Sequence, residues 1–200
     1  MTPLLLLARH GAHAEVGHVL SGRSEIALSE RGHDEAAALA RHLAGVELSA
    51  IYASPRRRTV ETAAAVAQPR GIAVVDAPAL DEIDFGAFAG RDFAALAEDP
   101  DWQRWNAERG SARCPGGETM AEAVARAVGF LASVGAGTTL CVTHCDIIRG
   151  AVAHWLGLGF ERMFQLGCDP GSVTTLALDE RGGATLVAFN ERPSALHPLI

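Results

Sequence analysis

Short apolar runs alternate with longer amphipathic segments along most of the chain. Residues 4–8 form a nearly continuous apolar run, followed by an arginine, a histidine and a glycine, which is typical of a buried parallel strand. Apolar runs at 50–53, 72–75 and 138–143 predict three further strands. Strands that alternate with helical segments indicate an α/β sheet covered on both faces.

The first helical segments carry recognisable start and stop signals. Apolar residues fall at helical spacing in 29–43, where Ser29 is a suitable N-cap. Ser54-Pro55 predicts an N-cap followed by proline at the first position of a second helix. This helix should end near Gln68-Pro69, because the residue before a proline disfavours the α conformation.

The second half of the chain begins with an irregular stretch. Residues 77–117 contain prolines and glycines with little periodicity, so we expect one or two short helices within a long excursion. Thr119 and Glu122 then form a capping box that opens a helix with a core-facing stripe. A last helix is predicted at 147–156, where Gly157 would end it.

The C-terminal part has the pattern of a hairpin. Residues 172–178 and 184–189 read as two strands that flank a glycine-containing turn at 179–183. The tail after Arg192 is expected to be loosely ordered. We therefore predict one domain spanning residues 1–200. Its expected architecture is a three-layer α/β/α sandwich with a mostly parallel sheet and an antiparallel addition.

Composition and charge narrow the kinds of partner. The 200 residues are 48% hydrophobic and 20% charged, with a net charge of −7. No global positive field exists to attract nucleic acid, so a small anionic substrate would need a local arginine cluster. The apolar run at 4–8 is too short for a signal peptide or a membrane span, which favours a cytoplasmic protein. Four cysteines in a chain of this size favour reduced thiols over a disulfide framework; they are Cys114, Cys141, Cys145 and Cys168.

Groups suited to phosphate chemistry follow three of the predicted strands. These are Arg9-His10-Gly11 after the first, Arg56 to Arg58 beyond the second, and His144-Cys145 after the fourth. Ligands of open α/β sheets bind beyond the carboxyl ends of the strands, so these groups can converge. A neutral imidazole is a competent nucleophile towards phosphorus, and guanidinium groups neutralise the phosphoryl oxygens. The leaving oxygen also needs a proton donor.

Six blocks, in order, resemble those of the histidine phosphatase (phosphoglycerate mutase-like) superfamily, branch 1. They cover roughly residues 4–149. The blocks are Arg9-His10-Gly11, Leu20-Ser21-Gly22-Arg23, Ser54-Pro55 to Arg58 with Thr62-Ala63, Leu80-Asp81-Glu82 with Phe85-Gly86, Pro115 to Thr119, and Val142-Thr143-His144.

The resemblance implies a role for each matched residue. His10 would be the nucleophile, and Glu82 would be the proton donor. Arg9, Arg58 and His144 would form the phosphate pocket. Substrate contacts are expected from Gly11, Ser21, Gly22, Arg23 and Cys145. The family needs no metal or cofactor, and the implied substrate is a small phosphorylated metabolite.

Two departures bear on substrate identity and rate. Ala12-His13 stands where the family usually has Glu-Thr or Gln-Thr, and Cys145-Asp146 replaces a small pair. An inward-pointing Asp146 would repel a phosphate dianion, so we expect it to cap the helix that follows. His13 is expected in a solvated loop, and Arg56 and Arg57 on a solvated helix face.

Several alternatives remain open at this point. A mutase would need more basic residues and a longer insertion than 77–117 offers, so hydrolysis is favoured. A non-catalytic phosphate sensor would have no need for a nucleophile and an acid. Cysteine-based phosphotransfer is disfavoured because Arg149 lies only four residues after Cys145. A metal site at Cys141 and His144 is disfavoured because strand alternation points them to opposite faces. The sequence leaves a homodimer open.

Overall fold

The computed structural model describes residues 3–179 and 182–193. Among these residues, one six-stranded sheet forms the centre of the fold. Its strands are β1 (Leu4–Arg9), β2 (Ala50–Ala53), β3 (Val74–Asp76), β4 (Thr138–Thr143), β5 (Val173–Leu178) and β6 (Ala184–Glu191). The helices are α1 (Glu30–His42), α2 (Arg57–Ala67), α3 (Phe93–Ala97), α4 (Pro100–Ala107), α5 (Met120–Leu131) and α6 (Cys145–Leu156).

The sheet is mostly parallel, which confirms the predicted architecture. Its strand order is β3-β2-β4-β1-β5-β6. The neighbouring pairs from β3 to β1 run parallel, whereas β5 is antiparallel to both β1 and β6. The carboxyl ends of β1, β2 and β4 therefore lie at one edge of the sheet.

Alternate residues of β1 pack on opposite faces of the sheet. Leu6 belongs to a buried cluster with Leu39 of α1 and with residues of α2. Leu5 and Leu7 belong to a different cluster, which includes Ile148 of α6. Because both faces are covered, the strand reads as a continuous apolar run rather than an alternating one.

The helix caps largely follow the sequence signals. The Ser29 side chain accepts a hydrogen bond from the backbone of α1, and Thr119 with Glu122 completes the capping box of α5. Gly157 ends α6 with a left-handed conformation (φ 66°). Helix α6 begins at Cys145, two residues earlier than predicted, with His144 in the N-cap position.

The predicted start of α2 is wrong. Arg56 rather than Ser54 occupies the N-cap position, because the Ser54 side chain is engaged by Asp81 and His144. The expectation that Arg56 is solvated is also wrong, since its side chain is half-buried and its Nε lies 3.2 Å from Asp81. Arg57 is exposed, as predicted.

One or two short helices were predicted in the irregular excursion. It holds two short α-helices, α3 and α4, and two single-turn 3₁₀ helices, Pro78–Leu80 and Gly86–Phe88. It also encloses an aromatic cluster in which Trp102 stacks on Trp105 and contacts Phe85 and Phe88. The β5–β6 hairpin is present, although two residues of its predicted turn and the tail after 193 lie outside the described residues. Within 3–179 and 182–193, no helix combines the length and apolar character that crossing a membrane requires.

Candidate active site

Two histidines meet at the carboxyl edge of the sheet. Strand pairing places Arg9 of β1 beside Thr143 of β4, so the next residues, His10 and His144, emerge side by side. Their ring centroids are 5.3 Å apart. Ser54, which follows β2, reaches the same point and lies 2.8 Å from His144.

His10 is held as a neutral imidazole, and its Nε2 makes no hydrogen bond to any residue that the structure describes. It is buried, and its Nδ1 lies 2.8 Å from the carbonyl oxygen of Gly11. A carbonyl only accepts hydrogen bonds, so Nδ1 carries the proton and Nε2 keeps its lone pair. Burial, followed by the charges of Arg58 and Arg9, holds the pKa of His10 well below its usual value. An unprotonated Nε2 is the form a nucleophile requires.

Gly11 positions His10 rather than lining the cavity. Its backbone N–H donates to Thr62 Oγ1 at 3.1 Å, and its carbonyl fixes the His10 tautomer. A Cβ at this position would collide with the backbone carbonyl of Gly32 at the start of α1. This close approach explains why glycine follows the histidine.

A cavity of about 380 Å³ opens beside His10. This volume falls within the range of small-molecule sites. The lining residues are Arg9, His10, His13, Val16, Gly17, Val19, Leu20, Ser21, Gly22, Arg58, Glu82, Phe85, Phe93, Trp102, Arg109, Cys145, Asp146, Arg149 and Phe164.

Two arginines beside His10 have buried nitrogens without a hydrogen-bond partner among the described residues. Arg9 donates to the carbonyl of Cys168 at 2.5 Å, and its Nε is left without an acceptor. Arg58 donates to the carbonyls of Ser24 and Gly22 at 2.9 and 2.6 Å, and its Nε is likewise unpartnered. Buried donors in this state create a strong preference for an anion.

His144 lies behind the cavity wall rather than in it. Its Nδ1 accepts from Arg58 at 3.1 Å, so its Nε2 carries the proton and donates to Ser54 Oγ at 2.8 Å. Ser54 in turn donates to Asp81 at 3.1 Å. Burial and the neighbouring Arg58 hold the pKa of His144 well below its usual value. In this arrangement His144 is linked to the cavity through Arg58, which lines it.

The structure separates the three neighbouring acids that the sequence could not rank without the family pattern. Glu82 is buried and lines the cavity, whereas Asp81 is occupied by Ser54 and the more open Asp84 binds Arg23. Burial, then the charge of Asp146, raises the pKa of Glu82 to about 8. A carboxylic acid that stays protonated at neutral pH can donate a proton.

The segment that precedes α1 contributes unevenly to the cavity. Ser21 and Gly22 line it, and the buried Ser21 Oγ has no partner among the described residues. Arg23 does not line it. Its guanidinium is 2.9 Å from Glu118 and 3.3 Å from Asp84, so these acids hold the side chain predicted to contact substrate.

Cys145 lines the cavity as expected. Asp146 lies in the first turn of α6, where the sequence predicted a helix-stabilising acid, but it also lines the cavity, from which it was expected to point away. Its charge is offset by Arg149 at 3.6 Å and by Arg109 at 3.9 Å. These two cations explain how a carboxylate is tolerated in this cavity.

Three of the lining residues with cationic or titratable side chains were not predicted from the sequence: His13, Arg109 and Arg149. His13 is buried rather than solvated, 5.3 Å from the His10 ring, and burial lowers its pKa to about 4. Its position just after Arg9-His10-Gly11 was a usable signal. Arg109 and Arg149 belong to no matched block, so the chain alone gave no reason to select them. Across the described part of the chain, no group of His, Cys, Asp and Glu has the arrangement of a metal site.

The chain belongs to the histidine phosphatase superfamily (branch 1), whose sequence model matches residues 5–192. It is 32% identical to phosphoserine phosphatase 1 of Hydrogenobacter thermophilus, over 91% of this chain and 90% of that protein. It is 26% identical to the 2,3-bisphosphoglycerate-dependent phosphoglycerate mutase of Thermoplasma acidophilum, over 88% of each. The fold is similar to the crystal structure of the alpha-ribazole phosphatase from Shigella flexneri, with a TM-score of 0.85 and 25% identity over 98% of this chain and all of the other.

Proposed function

We propose that this chain is a phosphomonoesterase that hydrolyses a small phosphorylated metabolite through a phosphohistidine on His10. The observation that carries the proposal is the lone pair on His10 Nε2 beside the Nε atoms of Arg9 and Arg58, which have no hydrogen-bond partner in the described part of the chain. A phosphoryl group placed between them would supply the missing acceptors and the electrophile together.

In the first step, the lone pair of His10 Nε2 attacks phosphorus. The N–P bond forms as the ester P–O bond breaks, and Glu82 donates its proton to the departing oxygen. Arg9 and Arg58 offset the charge on the phosphoryl oxygens throughout. The alcohol leaves, and Glu82 becomes a carboxylate.

In the second step, the Glu82 carboxylate takes a proton from water as that water attacks phosphorus. The N–P bond breaks, and its electron pair returns to His10 Nε2. Inorganic phosphate leaves, and Glu82 is protonated again. The raised pKa of Glu82 supports both roles, because the group can exchange its proton near neutral pH.

Turnover of p-nitrophenyl phosphate by wild type and His10→Ala tests the proposal. We expect wild type to release nitrophenol and to trap an acid-labile phosphoprotein, and His10→Ala to lose both. His33→Ala is the matched control, because His33 is exposed on α1. Wild type without turnover or phosphoprotein would favour a phosphate sensor and overturn the proposal. Phosphatase activity that survives in His10→Ala would contradict the assignment of His10 as the nucleophile.

The second candidate is phosphoglycerate mutase-type transfer, which the similarity to the mutase of Thermoplasma acidophilum favours. Wild type incubated with 3-phosphoglycerate and its bisphosphate primer distinguishes the two. Hydrolysis should exceed isomerisation, since the short excursion around α3 and α4 adds few cations to the cavity. Isomerisation exceeding hydrolysis would make the chain a mutase.

A further inference from the structure

Beyond the phosphate-facing groups, the cavity contains a buried guanidinium that the proposed reaction does not use. Arg109 lies two residues after α4 and is only 7% exposed. Its guanidinium carbon sits 4.2 Å from the ring centre of Trp105 and 3.9 Å from that of Phe164. The two rings pack against the guanidinium and fix its position, and its N–H groups remain to donate hydrogen bonds in the plane of the guanidinium.

The edges of Arg109 are only partly used. Its Nη2 donates to Asn106, whereas Nε and Nη1 are buried with no hydrogen-bond partner among the described residues. The nearest acid, Asp146, is 3.9 Å from Nη1, which is too long for a hydrogen bond. A buried cation with free donors is costly unless something anionic completes it.

The local charge indicates what kind of anion fits. Arg109 and Arg149 both face the single carboxylate of Asp146, from 3.9 and 3.6 Å. Two cations against one anion leave a surplus of about one positive charge. A monoanion balances this surplus, whereas a second phosphate dianion would exceed it and would lie beside Asp146.

We propose that Arg109, supported by Arg149, binds a carboxylate on the leaving group of the substrate. The substrate class is therefore a phosphorylated hydroxy or amino acid rather than a neutral sugar or alcohol phosphate. This inference rests on the proposed phosphatase function, because it locates the substrate by the phosphoryl group at His10. Arg9 and Arg58 bind the phosphoryl end, and Arg109 selects among the groups attached to it.

Two substrates that differ in one group test the inference. 3-Phosphoglycerate and glycerol 3-phosphate share a carbon skeleton, but the first has a carboxylate where the second has a hydroxymethyl group. We expect wild type to favour 3-phosphoglycerate in kcat/KM by about 10- to 100-fold, the range of a charge-assisted hydrogen bond. Arg109→Gln should reduce that ratio at least about tenfold, and Arg109→Lys should retain part of it.

The ratio within each variant is the readout, so a general loss of activity does not affect it. Arg104→Gln is the matched control, because Arg104 is exposed on α4; it should leave the ratio unchanged. Should Arg109→Gln fail to fold by circular dichroism, the half-buried Arg149→Gln should lower the ratio instead. An equal preference in wild type, or a ratio that both variants leave intact, would overturn the inference. The proposed function would still stand if p-nitrophenyl phosphate is hydrolysed, and absence of that hydrolysis would instead remove the proposed function.

Discussion

Replacement of Glu82 by glutamine tests what the titratable proton of this one buried carboxyl group contributes to activity and stability. Glutamine has nearly the shape of the protonated acid, and its side-chain oxygen can still accept the hydrogen bond that Ile83 N–H donates to Glu82 at 3.0 Å. It cannot donate a titratable proton or act as a base. Loss of a general acid–base group costs about 10²- to 10⁴-fold in rate, so we expect Glu82→Gln to lose that much in kcat for an alkyl phosphate.

The pH dependence has a defined sign. The pKa of Glu82 rises from 4.5 to about 8 because burial and Asp146 disfavour its charged form. The proton donor is present below that value, so hydrolysis of alkyl phosphates should decline as pH rises above about 8. Nitrophenolate leaves readily without a proton, so p-nitrophenyl phosphate should form phosphoenzyme on Glu82→Gln and accumulate it.

The same shift affects folding. Between pH 4.5 and about 8 the folded protein keeps a proton that the unfolded chain has lost. Wild-type stability therefore falls as pH rises through this window, by an amount on the order of 5 kcal/mol for the full shift. Glutamine avoids this loss, so the stability of Glu82→Gln relative to wild type should increase from pH 5 to pH 9.

Urea unfolding at pH 5 and pH 9 measures the change in stability, and kcat/KM profiles from pH 5 to 10 measure the change in activity. Glu108→Gln, an exposed acid near α4, is the control and should change neither. The acid–base assignment is refuted if Glu82→Gln retains more than about a tenth of wild-type alkyl phosphate turnover with an unchanged pH profile. A constant stability difference across the pH range would refute the raised pKa.

Two further substitutions test the packing beneath the site. Ser54→Ala removes the acceptor of the buried His144 Nε2–H, so urea unfolding should show a loss of about 1–3 kcal/mol, whereas the exposed Ser111→Ala should change little. Equal stability of the two variants would contradict the hydrogen-bond chain. Gly11→Ala places a methyl group against the Gly32 carbonyl and should cost at least about 1–3 kcal/mol. Gly129→Ala is the control, because a methyl group there enters open space on α5; it should instead stabilise the protein by up to about 1 kcal/mol. A Gly11→Ala variant that unfolds at nearly the wild-type urea concentration would contradict the expected collision and show that α1 can shift away from residue 11.

The fold was largely predictable because its signals are local. The apolar run of β1 and the capping box of α5 each follow from a few consecutive residues. The start of α2 was not predictable in this way. Ser54 has a good N-cap sequence, but a histidine 90 residues away engages its hydroxyl. The hydrogen bond from His144 to Ser54 thus replaces the N-cap hydrogen bond that the Ser54 hydroxyl would otherwise accept from the start of α2.

The candidate site divides in a similar way. Residues at strand ends, such as His10 and His144, could be placed together from topology alone. Arg109 could not, since it lies in an aperiodic stretch and its significance depends on two aromatic rings that the fold brings to it. The sequence also could not show whether Asp146 points into the cavity or into solvent, because an acid in the first turn of a helix can do both.

The position of β1 in the sheet has a consequence for how the chain reaches its native state. Leu4 of β1 pairs with Thr138 of β4 on one side and Ala177 of β5 on the other, so both neighbours of this apolar strand come from the last third of the chain. At about 5–20 residues per second, a ribosome takes several seconds or more to reach them. During synthesis the strand that leads into His10 has neither partner, and closure of such distant contacts is intrinsically slow. His10 therefore acquires its neighbours from β4 and β5 only late in synthesis.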